Sequence, residues 1–210
     1  MTDLPVLPVR DAYAQWARIY DSNDNATRDA DAALLRAQDL PLAGAHVVEF
    51  GAGTGKNTAY LAEHAARVTA LDLSPDMLAK ARARVTAEHV AFIEHNITQR
   101  WPLDDGSADV VVGNLVLEHI HDLAPVMAQI RRVLRSGGVA WLCELHPFRQ
   151  LQGSQARFET PQGTQMVEAY VHSVSEYVNA ALIAGLALEG MVEHSDPDGR
   201  PRLLALRLRG

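Results

Sequence analysis

Val47-Val48-Glu49-Phe50-Gly51-Ala52-Gly53-Thr54-Gly55-Lys56-Asn57-Thr58 is the stretch that decides the fold. A short apolar run carrying one acid reads as a buried strand. Three glycines at alternate positions follow, and a helical pattern opens at Asn57. Alternate glycines let the backbone turn sharply and approach a ligand with no Cβ in the way. The helix beyond them turns its free amides and positive dipole end toward the same point. The stretch is a nucleotide-type site in a parallel α/β fold.

Spacing narrows the nucleotide. A phosphate-cradling P-loop needs G-x-x-x-x-G-K-S/T. Here its first glycine would fall on Phe50, and Asn57 stands where Ser or Thr is required. A dinucleotide turn, G-x-G-x-x-G, begun at Gly51 would put its third glycine on Lys56. No Tyr-x-x-x-Lys pair of the short-chain dehydrogenase kind occurs. An NAD(P)-binding oxidoreductase remains as an alternative reading. So does a binding protein that keeps a cofactor site without chemistry.

The whole chain sets outer bounds. Its 210 residues suit one domain, with 48% hydrophobic and 21% charged residues, as in ordinary globular proteins. No apolar run approaches the length of a membrane span. Met1-Thr2-Asp3-Leu4-Pro5 lacks the basic and apolar regions of a secretion signal. The single cysteine, Cys143, sits in an apolar run and has no partner for an internal disulfide. A cytoplasmic location is expected. A net charge of −7 with scattered arginines argues against a nucleic-acid footprint. The expected partner is a small molecule, with no nucleic acid and no membrane, for a monomer or homodimer. Nine histidines occur without H-x-x-x-H or H-E-x-x-H spacing, so no metal is expected.

The pattern Glu49-x-Gly51-x-Gly53-x-Gly55 resembles motif I of the class I S-adenosylmethionine-dependent methyltransferases of the small-molecule type. Further signals follow in the family's order. Arg67-Val68-Thr69-Ala70-Leu71-Asp72 is a second strand ending in an acid, 21 residues after Gly51 (72 − 51). A carboxylate there can accept both ribose hydroxyls of an adenosine ligand. Ser74-Pro75 opens the next helix, where Met77 matches a position that lies against adenine. Val90-Ala91-Phe92-Ile93 is a third strand. The resemblance then implies an acid accepting from the adenine amino group, but Asn96 stands there, followed by Ile97; an amide oxygen can fill the same role. A fourth strand ends at Gly113-Asn114, facing the methionine part of the cofactor. Arg131 to Gly138 resembles the R-x-L-x-x-G-G turn before strand five. The likeness covers residues 44–147.

It implies a Rossmann-like, doubly wound α/β fold with a seven-stranded, mostly parallel sheet and an antiparallel edge strand. It also implies S-adenosyl-L-methionine as cofactor and methyl transfer to a small-molecule acceptor. The cofactor-binding residues would be Tyr20, Glu49, Gly51, Gly53, Gly55, Asp72, Leu73, Met77, Asn96, Ile97 and Asn114. His119, His146 and His172 are the candidate bases, since imidazole can take a proton near neutrality. The acceptor side would hold Tyr13, Tyr20, His119 and His146.

The flanks complete a single domain over residues 1–210. Tyr13, Trp16 and Tyr20 share the i, i+3, i+7 face of a leading helix; with the resemblance, residues 1–40 become a helical lid. Residues 148–171 hold two extended runs around Pro161-Gln162-Gly163, a hairpin inserted near the acceptor pocket. A helix begins at Ser173, and two last strands flank the turn at Asp196-Pro197-Asp198-Gly199.

Overall fold

The computed structural model describes residues 5–22, 24–161 and 163–210. The readings that fall on residues 1–4, Asn23 and Gln162 (most of the segment tested for a secretion signal, parts of the expected lid, the tip of the hairpin) lie outside the described residues.

The chain runs through β1 (Val6–Leu7), α1 (Val9–Trp16), α2 (Ala26–Arg36), β2 (His46–Phe50), α3 (Lys56–His64) and β3 (Arg67–Asp72). It continues with α4 (Pro75–Arg84), β4 (Val90–Glu94), β5 (Ala108–Asn114), a 3-10 turn at Leu117–His119, α5 (Ala124–Val133) and β6 (Leu134–Leu145). Then come α6 (Pro147–Leu151), β7 (Arg157–Thr160), β8 (Gly163–Val167), α7 (Val174–Ile183), β9 (Ala187–Ser195) and β10 (Pro201–Arg209).

Seven of these strands form one sheet in the order β4-β3-β2-β5-β6-β10-β9. β4, β3, β2, β5 and β6 pair in parallel. β10 runs antiparallel to β6, and β9 antiparallel to β10, which makes the antiparallel edge expected from the resemblance. The strand order reverses between β2 and β5. In open α/β sheets the crevice at such a switch point, beyond the carboxyl ends of the strands, is where ligands bind.

Strand parity assigns side chains to the two faces. Val48 and Phe50 of β2, Val111 of β5 and Leu142 of β6 pack into one cluster with α5 and α7 residues such as Met127, Ile130 and Tyr177. Val47, Val110, Val112, Trp141 and Cys143 pack on the other face with Leu35 of α2 and Leu61 of α3. Glu49 shares the parity of Val47, so the single acid of the buried strand faces α2 and α3. Gly113 pairs with Phe50 across β2 and β5. A Cβ on Gly113 would lie 2.0 Å from Phe50 Cζ, so only glycine lets that ring cover the strand.

Local signals set the helix starts. Ser74 caps α4 by accepting from the Met77 N–H, with Pro75 at the first helical position. Asn25 caps α2, accepting from the Thr27 and Arg28 N–H groups. Ser173 and Glu176 close a capping box on α7.

The leading segment packs differently from a single long helix. α1 stops at Trp16, and Tyr20 sits in the turns that follow. Trp16 stacks on Phe158 of the hairpin, ring centroids 5.2 Å apart, and on the ring edge of Tyr20. β1 pairs in parallel with β8, so the lead-in and the β7–β8 hairpin make one three-stranded sheet. Among the described residues no helix is long and apolar enough to cross a membrane.

Candidate active site

A cavity of about 430 Å3 opens at the switch point. Its floor is the carboxyl ends of β2, β3, β4 and β5, and its walls include α1, α2 and Glu168 just after the hairpin.

The glycine turn is held in shape by Asp72. One carboxylate oxygen accepts from the Gly53 N–H at 2.7 Å, the other from the Ser74 N–H at 2.8 Å. Burial raises this carboxyl, and the N–H groups of Ser74, Gly53 and Leu73 oppose the shift. Gly51 takes φ +70°, and a Cβ there would meet Val116 at 2.7 Å. The turn after β5 thus closes directly over the turn after β2.

That second turn is also constrained. Leu115 adopts φ 55°, a left-handed conformation that costs a non-glycine residue energy and gathers at functional sites. Its N–H donates to the Cys143 carbonyl at 2.8 Å. The next two N–H groups, of Val116 and Leu117, both donate to the carboxylate of Glu144, buried in β6. Burial pushes the Glu144 carboxyl well up against those two bonds.

Parity brings acids to the glycine end. Glu49 is 4% exposed and accepts from the Thr58 hydroxyl at 2.5 Å. Burial pushes its carboxyl up to about 8, in spite of that bond, with Asp72 and Asp31 adding to the rise. Asp31 of α2 accepts from the amides of Asn57 and Asn114, and burial raises it too. Asp31, Glu49 and Asp72 all line the cavity. A dinucleotide diphosphate at this turn would meet carboxylates. A ligand bearing cationic groups meets complementary charge.

At the other end, Tyr13 Oη lies 2.9 Å from His119 Nε2, and His119 Nδ1 lies 2.7 Å from the Glu168 carbonyl oxygen. A carbonyl only accepts, so Nδ1 carries the proton of the neutral ring and Nε2 accepts from the tyrosine hydroxyl. Burial holds the Tyr13 phenol well above its ordinary pKa, so Tyr13 is a donor at neutral pH. α1, the post-β5 turn and the post-hairpin segment meet at this one pair.

Residues 48–142 match the family described as "Methyltransferase domain". The chain belongs to the class I S-adenosylmethionine-dependent methyltransferases. It is 36% identical over 131 residues to a malonyl-acyl-carrier-protein O-methyltransferase of Serratia marcescens, which covers 62% of this chain and 50% of that enzyme. The enzyme of the same name from Pectobacterium atrosepticum is 30% identical over 167 residues, 79% of this chain and 64% of the relative. The chain thus spans half to two thirds of the length of these relatives. Among solved structures, the DhpI–SAH complex aligns with a TM-score of 0.75 at 25% identity, covering 96% of this chain and 94% of DhpI. A methyltransferase from Mesorhizobium loti aligns at 0.74 with 22% identity, covering 87% of this chain and 99% of the other.

The cavity suits the family's cofactor on its own terms. The glycine turn leaves its backbone bare, the acids match a sulfonium and an ammonium, and His95 Nε2, Asn57 Oδ1 and Asn114 Oδ1 are buried without a partner among the described residues. All three belong to residues of the cavity wall.

Of the residues singled out from sequence, Tyr20, Glu49, Gly51, Gly53, Asp72, Leu73, Met77, Asn96, Ile97, Asn114 and His119 line the cavity. Others do not. Gly55, at φ +79°, begins α3 and lets it approach α4; a Cβ would stand 3.0 Å from Ala81, so this glycine serves helix packing and not the ligand wall. His146 accepts from the Phe148 N–H through Nδ1 and meets Glu193 through Nε2 at 2.9 Å. His172 Nε2 meets the Ile120 carbonyl at 2.7 Å. The expectation that these two histidines act as bases, and that His146 lines the acceptor side, is therefore corrected: their nitrogens brace the fold away from the cavity. Gly113 also lies off the wall, beneath Phe50. Asn96 lines the cavity, but its amide oxygen already accepts from the Thr98 N–H at 3.0 Å and hydroxyl at 2.9 Å. That leaves its N–H2 as the freer group toward a ligand.

Two residues that the sequence pattern did not single out are central. Asp31 lies one turn before the buried Leu35, so an acid on the apolar face of α2 was a visible signal. Glu144 interrupts the apolar run from Val139 to Leu145 at the parity of Leu142, which was equally visible.

Proposed function

We propose that the chain transfers a methyl group from S-adenosylmethionine to a small-molecule acceptor, as one unit in which residues 1–40 and the β7–β8 hairpin cover the site. The observation that supports this best is the single cavity joining the acid-lined glycine turn to the Tyr13–His119 pair. The cofactor supplies a methyl group already activated on a sulfonium sulfur.

The chain's own residues bind, orient and exclude water. Asp72 accepts the ribose hydroxyls while it keeps the Gly53 amide in place. Met77 and Ile97 give apolar walls to the adenine, with Asn96 at its edge. Glu49 faces the cationic end. Trp16, Tyr20 and Phe158 hold the cover closed over the reacting groups. Alignment inside such an enclosure can lower a barrier by roughly 7–11 kcal/mol in favourable cases. When the acceptor carries a proton, Tyr13 Oη takes it as its own proton passes to the His119 Nε2 lone pair. The Glu168 carbonyl keeps the ring in the tautomer that makes this possible.

Calorimetry against S-adenosylhomocysteine and NAD tests the cofactor; binding of NAD alone would sink the reading. Incubating metabolite extracts with methyl-labelled cofactor and finding the labelled product by mass spectrometry identifies the acceptor. The malonyl-acyl-carrier protein in the relatives' names belongs among the first acceptors to try.

A further inference from the structure

Asp31, Asn57 and Asn114 come together from α2, the first turn of α3 and the end of β5. The Asp31 side chain is 3% exposed and lines the cavity wall. Asn57 Nδ2 donates to its Oδ2 at 3.1 Å, and Asn114 Nδ2 donates to its Oδ1. Both amides are neutral, so these hydrogen bonds bring the carboxylate no opposite charge; Arg36 acts on it only electrostatically, behind burial and those bonds.

The carboxylate also dictates the amides. An ionised carboxylate only accepts, so both asparagines must give it their N–H, which turns their oxygens elsewhere. Both oxygens, Asn57 Oδ1 and Asn114 Oδ1, are buried without a partner among the described residues. Buried polar atoms are nearly always paired, and an exception calls for an explanation. Three neighbouring side chains thus offer more acceptors than the fold supplies donors.

A primary ammonium, with three donors and one positive charge, is the chemistry such a set lacks. We propose that Asp31, with Asn57 and Asn114, is an ammonium site that takes the α-ammonium of the cofactor's amino-acid end. The inference rests on the S-adenosylmethionine reading of this cavity. It makes α2 of the cover part of cofactor recognition, and not only a roof.

Calorimetry with two ligands tests it. S-adenosylhomocysteine carries the amino-acid end; 5′-methylthioadenosine lacks it and keeps the nucleoside. In the Asp31→Asn variant, affinity for S-adenosylhomocysteine is expected to fall tenfold or more, and that for 5′-methylthioadenosine to stay within twofold. The Asn57→Ala variant keeps the acid, is expected to lose severalfold on the first ligand only, and decides the question if Asp31→Asn does not fold. Unchanged S-adenosylhomocysteine affinity in both variants overturns the proposal. So does an equal loss on both ligands, which would mark a structural role. If the wild-type chain binds 5′-methylthioadenosine and S-adenosylhomocysteine equally well, the ammonium site is wrong and the cofactor cavity stands. If it binds neither, the cofactor reading itself fails, and this proposal with it.

Discussion

Tyr13 Oη and His119 Nε2 are 2.9 Å apart although 106 residues separate them in the chain. The contact ties α1 to the turn after β5, and Glu168 completes it from beyond the hairpin. A histidine whose Nε2 already accepts from a phenol cannot take a proton from an acceptor until that phenol gives way or relays.

Two measurements follow from the pair. 15N NMR is expected to find His119 as the Nδ1–H tautomer, with the Nε2 resonance moving in Tyr13→Phe. With the acceptor in hand, His119→Asn is expected to slow turnover by about 10²–10⁴-fold, the usual span for a lost general base, while S-adenosylhomocysteine affinity holds. Full turnover in that variant would remove His119 from the chemistry.

Glu49 couples the cofactor to protons. Its carboxyl sits at about 8 in the free protein, so at pH 7 it is mostly protonated. A cationic ligand beside it favours the charged form and lowers that value. Binding of S-adenosylhomocysteine at pH 7 is expected to release a proton, read as a binding heat that differs between phosphate and Tris buffers. Glu49→Gln should abolish the difference; a buffer-independent heat in the wild type would mean that Glu49 stays neutral.

The same residue gives the free protein a pH slope of known sign. Unfolded, Glu49 titrates near its ordinary 4.5; folded, near 8. The folded state therefore binds more protons between these values, and Glu49's contribution to stability, full below 4.5, is lost as pH rises toward 8. The loss is on the order of 1 kcal/mol per pH unit at most. Urea denaturation across this window should show a shallower slope in Glu49→Gln than in the wild type.

The central sheet and glycine turn were legible because they follow from local rules: apolar runs, alternate glycines, an acid at a strand end. Asp72 and Met77 came with them. The leading segment was legible only in part. Tyr13, Trp16 and Tyr20 have helical spacing, yet α1 ends at Trp16, and Trp16 packs on Phe158 of the hairpin, a contact that no local pattern encodes. His146 and His172 have the right chemistry for a base, and only tertiary placement shows their nitrogens spent on Glu193 and Ile120. Asp31 was the reverse case: its place on the apolar face of α2 was visible, but its partner Asn114 comes to it only through β5.

Gly113 and Gly51 separate packing from binding. Gly113→Ala drives a methyl group into the Phe50 ring and is expected to cost roughly 1–3 kcal/mol or more in urea denaturation. Adding Phe50→Leu should recover part of that loss. Gly51→Ala meets Val116 instead and strains a φ of +70°, so its main effect is expected on cofactor affinity. An equal effect of both substitutions on affinity would contradict this division.

The proposed lid has a latch at Asp21. Its carboxylate accepts from the Thr54 hydroxyl at 2.8 Å and from Arg84 at 2.7 Å, with Lys56 at 3.8 Å. Arg84 also donates to the Thr54 carbonyl at 2.6 Å, so one cluster joins the turn after α1 to the glycine turn and to α4. Partial burial alone would raise the Asp21 carboxyl, but the bonds from Thr54 and Arg84 outweigh it and leave it lowered. A lowered acid stabilises above its unfolded pKa, and the contribution is lost as pH falls through the folded value. The latch therefore holds at neutral pH and releases only in acid. Asp21 and Arg84 are about a quarter to a third exposed, so screening keeps the whole cluster near about 1 kcal/mol. That is too little to unfold the chain and enough to loosen the lid. Asp21→Ala is expected to leave the denaturation midpoint nearly unchanged and to speed hydrogen exchange in α1, and the bound S-adenosylhomocysteine should leave several times faster. If exchange in α1 matches that of the wild type at pH 7, the aromatic contacts with Phe158 hold the lid without Asp21.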